Sequence, residues 1–203
     1  MMHSDDELLR RMSTGDDQAF ALMYRRHQGA IYRFALLMSG SAALAEDVTQ
    51  ETFLFLLGAA QRYDPARGTL SAYLYGIARN HVLRRLGRDR AYVSLAAEEE
   101  EGDWAALASL IANDDPARDY ARQQVMRLVR QAVLALPPRY REVIVLCDFQ
   151  ELSYADAALA LGCAVGTVSS RLHRGHALLL ESLRTRGKAG AATHAADLLR
   201  CFS

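Results

Sequence analysis

Hydroxyl, imidazole and guanidinium side chains follow one another between residues 167 and 174, and each of these groups can bond to DNA. The residues are Thr167, Ser169, Ser170, Arg171, His173 and Arg174. Arginine can bridge O6 and N7 of guanine, and serine or threonine can bond to a base or to a phosphate. Val168 and Leu172 lie among them four residues apart, so these two apolar side chains should face the protein core.

Two helices must position these groups, and the segment LSYADAALALGCAVGTVSSRLHRGHALLLESL predicts both of them. Ser153 followed by Asp156 is a capping box that begins the first helix. Gly162 suits the left-handed position after its end, and a long helix follows from near Val165 or Gly166. Two helices joined by a tight glycine-containing turn are typical of a helix-turn-helix, whose second helix enters the major groove. The alternative is two ordinary packed helices with a solvated basic end.

A second segment, RGTLSAYLYGIARNHVLRRLGR at residues 67–88, begins with aromatic and aliphatic residues and ends with arginines. Spacings of four, three and four place four of its side chains on one helical face: Tyr73, Ile77, Asn80 and Arg84. That face is apolar at its start and polar and cationic at its end. The pattern therefore predicts a helix that buries one half of the face and presents the other half.

Strand signals are scarce and nearly every segment is rich in good helix formers, so the sequence predicts an all-α protein. The helices predicted in the first block are Asp5–Thr14, Asp17–Ser39, Ala42–Tyr63 and a fourth that follows Gly68-Thr69. In the second block, YARQQVMRLVRQAVLAL predicts a helix that ends at Pro137-Pro138, and RYREVIVLCDFQ predicts the next helix. The predicted boundaries are 5–90 for the first domain, 91–120 for a linker, 121–186 for the second domain and 187–203 for a C-terminal extension.

The predicted linker is acidic and ordered only in part. Four consecutive glutamates at 98–101 repel one another and stay solvated. Asp115-Pro116 predicts a turn or loop later in the segment. The C-terminal extension contains small residues typical of a flexible segment up to Ala192, and HAADLLRCF predicts a short helix after them.

The composition bounds the classes of function. The 203 residues are 51% hydrophobic and 24% charged, and 24 Lys and Arg balance 24 Asp and Glu, so net charge favours no class of partner. Cys147, Cys163 and Cys201 form no C-x-x-C pair, which predicts reduced thiols and no metal site. The polar N-terminus and the lack of a long apolar run predict a soluble, cytoplasmic protein. No hydrolase, metalloprotease or phosphate-loop motif is present, so neither an enzyme nor a cofactor is expected.

The chain resembles a known family in two separate places. GTVSSRLHRGHALL, preceded by LPPRYREVIVLCDFQELSYADAALALG, resembles region 4 of the extracytoplasmic-function (group IV) sigma factors of the sigma-70 family. LAEDVTQETFLFL and YLYGIARNHVLRRLGR resemble region 2 of the same family, in the right order and at the right separation. The resemblance covers roughly residues 5–185. It implies a region 2 four-helix bundle and a region 4 helix-turn-helix joined by a flexible linker.

The resemblance implies a non-catalytic subunit that binds core RNA polymerase, melts −10 promoter DNA through region 2 and reads −35 DNA through region 4. Asp47, Gln50 and Glu51 would bind the β′ clamp helices, and region 4 would meet the β flap. A loop at Tyr63–Thr69, together with Asn80, would hold a flipped −10 base. The full set implied for −10 DNA is Tyr63, Arg67, Tyr73, Arg79, Asn80, Arg84, Arg85 and Arg88. The six residues of the 167–174 segment would bind −35 DNA.

Three departures from the family pattern bear on affinity. Tyr73 stands where the family usually has Trp, and apolar residues 55–58 stand where it often has basic residues and a Trp. Gly175-His176 replaces a frequent Ala-Arg, which removes one possible phosphate contact.

The partners and the alternative functions remain open at this point. The family implies an anti-sigma factor, and the residues are equally compatible with self-inhibition by the linker or the C-terminal extension. A free-standing helix-turn-helix regulator, which binds duplex DNA without polymerase, is the alternative function. That alternative leaves the acidic surface at Asp47–Glu51 unexplained.

Overall fold

The computed structural model describes residues 3–89 and 116–187, with side chains for 3–87 and 125–186. All regular secondary structure in these ranges is helical, and no strand occurs in them, which confirms the all-α prediction. The helices are α1 (Asp5–Ser13), α2 (Asp17–Ser39), α3 (Ala42–Ala59), α4 (Leu70–Asp89), α5 (Pro116–Leu134), α6 (Pro138–Ile144), α7 (Tyr154–Leu161) and α8 (Val165–Gly187). The predictions for the glutamate run, the C-terminal extension, Cys201 and the Arg88 side chain lie outside the described residues.

Local sequence signals set most of the helix ends. The Asp16 carboxylate accepts from the backbone N–H groups of Gln18 and Ala19 and so caps α2, which ends where Gly40 adopts the left-handed conformation at φ 79°. Ser41 caps α3 in the same way through the N–H of Leu44. Side-chain caps and glycine therefore explain why Asp17–Ser39 was predicted correctly from the sequence.

The prediction for α3 was too long. The α-helix ends at Ala59, and a 3₁₀ turn at Ala60–Arg62 tightens the chain before Asp64-Pro65. A last turn of this kind satisfies carbonyl groups that have no partner in an α-helix, so it is a common way for a helix to end. At the other end of the linker, α5 begins at Pro116, within the range predicted as linker, because proline fits the first turn of a helix.

The first four helices form a bundle around a buried aromatic and aliphatic core. Phe34, Phe53 and Leu74 come from three different helices and are each at most 1% exposed. The Phe34 and Tyr75 rings meet edge to face with their centroids 5.3 Å apart, a favourable geometry for aromatic pairs. The bundle therefore fixes the start of α4, whose later turns carry the arginines.

The last four helices pack against this bundle rather than apart from it. Arg141 donates to the carbonyl of Met38 at 2.5 Å, and Arg130 donates to the carbonyl of Gly40 at 2.7 Å. Both acceptors lie at the C-terminal end of α2, where a helix leaves carbonyl groups without intrahelical partners. The structure is therefore one continuous core in which α4 contacts α7.

Candidate nucleic-acid interface

A cavity of about 550 Å³ lies between the loop before α4, the first half of α4, and α7. Five residues implied for −10 DNA line it: Tyr63, Arg67, Tyr73, Arg79 and Asn80. The loop and the helix thus bring together side chains that the sequence placed up to 17 positions apart. Arg84 and Arg85 are absent from the lining because they point towards α3.

The loop that forms one wall is held by short-range hydrogen bonds. The Tyr63 hydroxyl donates to the carbonyl of Gly68 at 3.1 Å, and Asp64 accepts from the N–H of Ala66 at 3.0 Å. The rings of Tyr63 and Tyr73 lie with their centroids 5.6 Å apart. Burial raises the pKa of both phenols, so both stay neutral. The Tyr63 hydroxyl donates its proton to Gly68 and can still accept, and the Tyr73 hydroxyl can donate. The cavity therefore offers flat aromatic surfaces and polar hydroxyl groups.

Asn80 and Arg79 occupy the rim in different ways. Asn80 is exposed, so its amide is available to a ligand. Arg79 instead donates from Nε to Oε2 of Glu142 at 2.8 Å, and the Glu142 side chain is only 5% exposed. In this arrangement a guanidinium implied for DNA is bound to a carboxylate of the second domain.

The end of α4 faces α3 and forms a cluster of charges around Glu51. The Glu51 carboxylate accepts from Arg85, from Arg84 at 3.0 Å and from His81 at 2.5 Å. The hydrogen bond from Arg85 is the largest cause that holds the pKa of Glu51 below its usual value. Arg85 also lies 3.4 Å from Asp47. Residues implied for polymerase and residues implied for DNA therefore neutralise one another here.

The three residues implied for polymerase binding differ in exposure. Asp47 and Gln50 are exposed on α3, whereas the Glu51 side chain is 28% exposed within the charge cluster. One turn further along the same helix, Leu54, Phe55 and Leu57 are exposed apolar residues. The polar surface predicted on α3 is therefore continuous with an apolar one.

The helix-turn-helix predicted from the sequence is present as α7 and α8. The Asp156 N–H donates to the Ser153 hydroxyl at 3.0 Å, and Gly162 adopts the left-handed conformation at φ 64°. Val168 and Leu172 are buried, which confirms that they face the core. Four of the six candidate side chains are exposed: Ser169, Ser170, His173 and Arg174. Thr167 and Arg171 are half-buried.

Gly175 and His176, which depart from the family pattern, have partners inside the fold. A Cβ atom on Gly175 would lie 3.1 Å from Cγ1 of buried Ile144, so α8 approaches α6 closely at this glycine. The His176 Nε2 lies 2.7 Å from Oδ2 of Asp148, and this hydrogen bond raises the pKa of the imidazole. These two residues therefore serve the packing of α8 on α6 and the turn that follows it.

The two described cysteines are half-buried and pack against the core. Burial raises the pKa of the Cys147 thiol to about 11, which keeps it protonated and unreactive. Within residues 3–89 and 116–187, no cluster of three potential metal ligands occurs, and no helix is long and apolar enough to cross a membrane.

Contacts between the two domains are the part of the site that the sequence did not predict. The Thr69 hydroxyl donates to Asp156 at 2.8 Å, and the Tyr75 hydroxyl donates to Gln150 at 2.9 Å. Burial raises the pKa of Tyr75 to about 12. These partners lie 87 and 75 positions apart, and no local spacing links residues at such distances.

Comparison with known proteins agrees with this division of the chain. Residues 23–92 match the Sigma-70 region 2 family, and residues 126–179 match the Sigma-70 region 4 family. The ECF RNA polymerase sigma factor SigW of Bacillus subtilis is 32% identical over 178 residues, which cover 87% of this chain and 95% of SigW. The chain belongs to the extracytoplasmic-function sigma factors. It is therefore an alternative sigma factor, in which α1–α4 contain region 2 and α5–α8 contain region 4.

Two further relatives bear on this sigma factor. The ECF RNA polymerase sigma factor SigE of Mycolicibacterium smegmatis is 35% identical over 174 residues, covering 84% of this chain and 65% of that longer protein. The fold is also similar to that of the sigma factor RpoE in its complex with the anti-sigma factor NepR from Bartonella quintana. That similarity has a TM-score of 0.59 and 26% identity, and covers 81% of this chain and 96% of the other.

Proposed function

We propose that the cavity between the Tyr63–Thr69 loop and α4 holds one unpaired base of the −10 element. The proposal rests on one observation: two neutral tyrosine rings, an exposed amide and arginines line a single cavity of about 550 Å³. Extruding a base from a duplex costs a few kcal/mol, and stacking on an aromatic ring recovers about 1–3 kcal/mol per base. Tyr63 and Tyr73 offer the stacking surface.

Asn80 is the side chain that distinguishes one base from another in this proposal. It is exposed at the cavity rim, and its amide can donate to and accept from the edge of the same base. Arg67, also exposed at the rim, attracts the phosphates on either side without regard to sequence. Discrimination between bases would thus depend on Asn80, and affinity for DNA would depend on the arginines and the tyrosine rings.

The surface of α3 at Asp47 and Gln50 binds core RNA polymerase in this proposal. Both side chains are exposed on one turn of the helix, and an acidic and an amide group can together pair with basic residues and fix the register. Glu51 contributes less directly, because it is already held by Arg84 and Arg85. Its role is to hold α3 and α4 together beneath the docking surface.

The exposed polar side chains of α8 read the −35 element in the major groove. Ser169, His173 and Arg174 are exposed near the start of the helix, while Val168 and Leu172 attach it to the core. This is the usual division between the outer and inner faces of a recognition helix.

The protein carries out no chemistry itself in this proposal, since phosphodiester synthesis belongs to the polymerase, and it acts in the cytoplasm beside that enzyme. Its partners are core RNA polymerase, including the β′ clamp helices and the β flap, and promoter DNA. An anti-sigma factor is a further partner, as NepR is for the Bartonella quintana sigma factor.

Transcription by purified core RNA polymerase on a promoter library, with and without the protein, tests the proposal. Start sites that occur only with the protein, and that share upstream sequence at −35 and −10, are the expected result. The double variant Asp47→Arg, Gln50→Arg, at the two exposed positions of the docking surface, should abolish them. Tight specific binding to duplex DNA without polymerase, and no new start sites with it, would contradict the proposal and favour a free-standing regulator.

A further inference from the structure

The cavity that we assign to the −10 base is closed on one side by region 4. Leu159, Ala160 and Leu161 of α7 form this wall. The fit is close at two glycines of region 2. A Cβ atom on Gly68 would lie 2.3 Å from a methyl carbon of Leu159, and one on Gly76 would lie 3.5 Å from the carbonyl oxygen of Ala160.

Polar contacts hold region 4 in this position at both ends of the first half of α4. At the start of the helix, Thr69 donates to Asp156. Six residues later Tyr75 donates to Gln150, and ten residues later Arg79 pairs with Glu142. The Arg79–Glu142 pair is mostly buried, so removing one partner would leave an uncompensated buried charge. The contact between the two domains is therefore specific rather than a loose collapse.

This arrangement is incompatible with simultaneous reading of both promoter elements. By their numbering the −35 and −10 elements lie about 25 base pairs apart, which at about 3.4 Å per base pair is on the order of 85 Å. In the structure the −10 cavity and the helix-turn-helix are in direct contact through Gly68 and Leu159. Region 4 must therefore leave α4 before the two domains can reach their separate elements.

We propose that α7 of region 4 is an autoinhibitory cover for the −10 cavity, which core RNA polymerase displaces when it binds the chain. This inference rests on the proposed function, because it takes the cavity to be the −10 site. It differs from inhibition by the linker or the C-terminal extension, since the contacting residues all lie in regions 2 and 4. The closed chain keeps Arg79 bound to Glu142 and the cavity walled by Leu159 until polymerase holds the domains apart.

Charged substitutions at Leu159 test whether α7 covers the cavity. Its side chain is half exposed, and the cavity beside it is lined by Arg62, Arg67 and one carboxylate, Asp64. Arg79 also lines the cavity but is already paired with Glu142. A lysine at position 159 would be repelled by this excess of positive charge, whereas a glutamate of similar length would be attracted to it. Leu159→Lys should therefore open the chain, and Leu159→Glu should leave it closed. Leu22→Lys places the same charge on an exposed apolar position of α2 and is the matched control.

Small-angle scattering of the free full-length proteins measures opening directly. The radius of gyration should be larger for Leu159→Lys than for the wild type, Leu159→Glu and Leu22→Lys, which should agree with one another. In transcription with core polymerase, Leu159→Lys should reach half-maximal initiation at a roughly three- to tenfold lower concentration, because closing no longer competes with binding.

The cover and the promoter role can fail separately. A wild-type radius equal to that of Leu159→Lys, together with equal half-saturating concentrations, would overturn the cover even if start sites appear normally. A closed wild-type chain that opens in Leu159→Lys supports the cover. The absence of start sites for all four proteins would overturn the promoter role itself, and with it the inhibitory meaning of the closure, whatever the radii of gyration.

Discussion

Arg79 donates from Nε to Oε2 of Glu142 at 2.8 Å, and this ion pair joins residues 63 positions apart in different domains of the sigma factor. The guanidinium comes from the helix that lines the −10 cavity, and the carboxylate comes from the helix that supports the helix-turn-helix. A residue implied for DNA is thus held by the domain that reads the other promoter element. The pair connects the state of the cavity to the position of region 4.

The packing of α8 against α6 depends on Gly175. A Cβ atom there would lie 3.1 Å from Cγ1 and 3.3 Å from Cδ1 of Ile144, which is fully buried. Close packing around a fully buried side chain opposes its displacement. Gly175→Ala should therefore lower the free energy of unfolding by about 1–3 kcal/mol, as overpacking usually does. Gly58→Ala is the control, because no atom lies within 4 Å of the added methyl. It should raise the free energy of unfolding by about 0.5–1 kcal/mol. Urea denaturation measures both, and equal effects of the two changes would contradict this account.

His176 should make the stability of region 4 depend on pH. The hydrogen bond to Asp148 raises the pKa of the imidazole above its usual 6.5. The pair therefore stabilises the fold fully below pH 6.5, and this stabilisation is lost as pH rises through the pKa of the folded state. The free energy of unfolding of the wild type, minus that of His176→Gln, should fall as pH rises above about 6.5. A difference that stays constant between about pH 5.5 and pH 8.5 would show that the imidazole charge plays no part.

Asp47 and Glu46 are adjacent acidic residues on α3. Comparing substitutions at the two positions distinguishes a defined docking contact from a general effect of charge. Both are exposed, but they project about 100° apart around the helix, and we assign only Asp47 to the polymerase surface. Asp47→Arg should weaken binding to core polymerase about tenfold or more, because it places a like charge against basic clamp residues. Glu46→Arg should have a much smaller effect in the same binding titration. Equal losses for the two variants would indicate a long-range charge effect without a defined surface.

Arg174 and Arg184 are exposed arginines on α8, ten residues and about 15 Å apart. Arg174 lies near the start of the recognition helix, so Arg174→Ala should weaken binding to the −35 element by about 1–3 kcal/mol. Initiation from the cognate promoter should fall accordingly. Arg184→Ala should have little effect. Initiation rates on promoters with each −35 position varied would show whether Arg174 contacts a base or a phosphate. An unchanged −35 preference together with unchanged affinity would remove Arg174 from the DNA surface.

The helix-turn-helix could be predicted from the sequence because its signals are local. Ser153 caps α7 and Gly162 ends it in the left-handed conformation, and both residues lie within a few positions of the helix that they bound. The alternation of buried Val168 and Leu172 with exposed polar residues follows from helical periodicity. The orientation of α8 on the core was therefore predictable as well.

The closed arrangement of the two domains could not be predicted in this way. The spacing of residues in α6 is the same whether the carboxylate of Glu142 faces water or Arg79. Periodicity in the sequence therefore cannot identify the partner of Glu142. The cluster of Glu51 with Arg84 and Arg85 was missed for a related reason. The sequence assigned these residues to separate partners, and only the packing of α3 on α4 shows that they also contact one another.

Base preference in the −10 element tests the central claim most directly. Initiation should be measured on promoters that carry each of the four bases at every −10 position, with wild type, Asn80→Ala and Gln18→Ala, an exposed amide on α2. We expect Asn80→Ala to lose about 1–3 kcal/mol of discrimination at one −10 position and none at −35, while Gln18→Ala behaves as wild type. Unchanged discrimination at every −10 position in Asn80→Ala would contradict the assignment of the cavity to a −10 base.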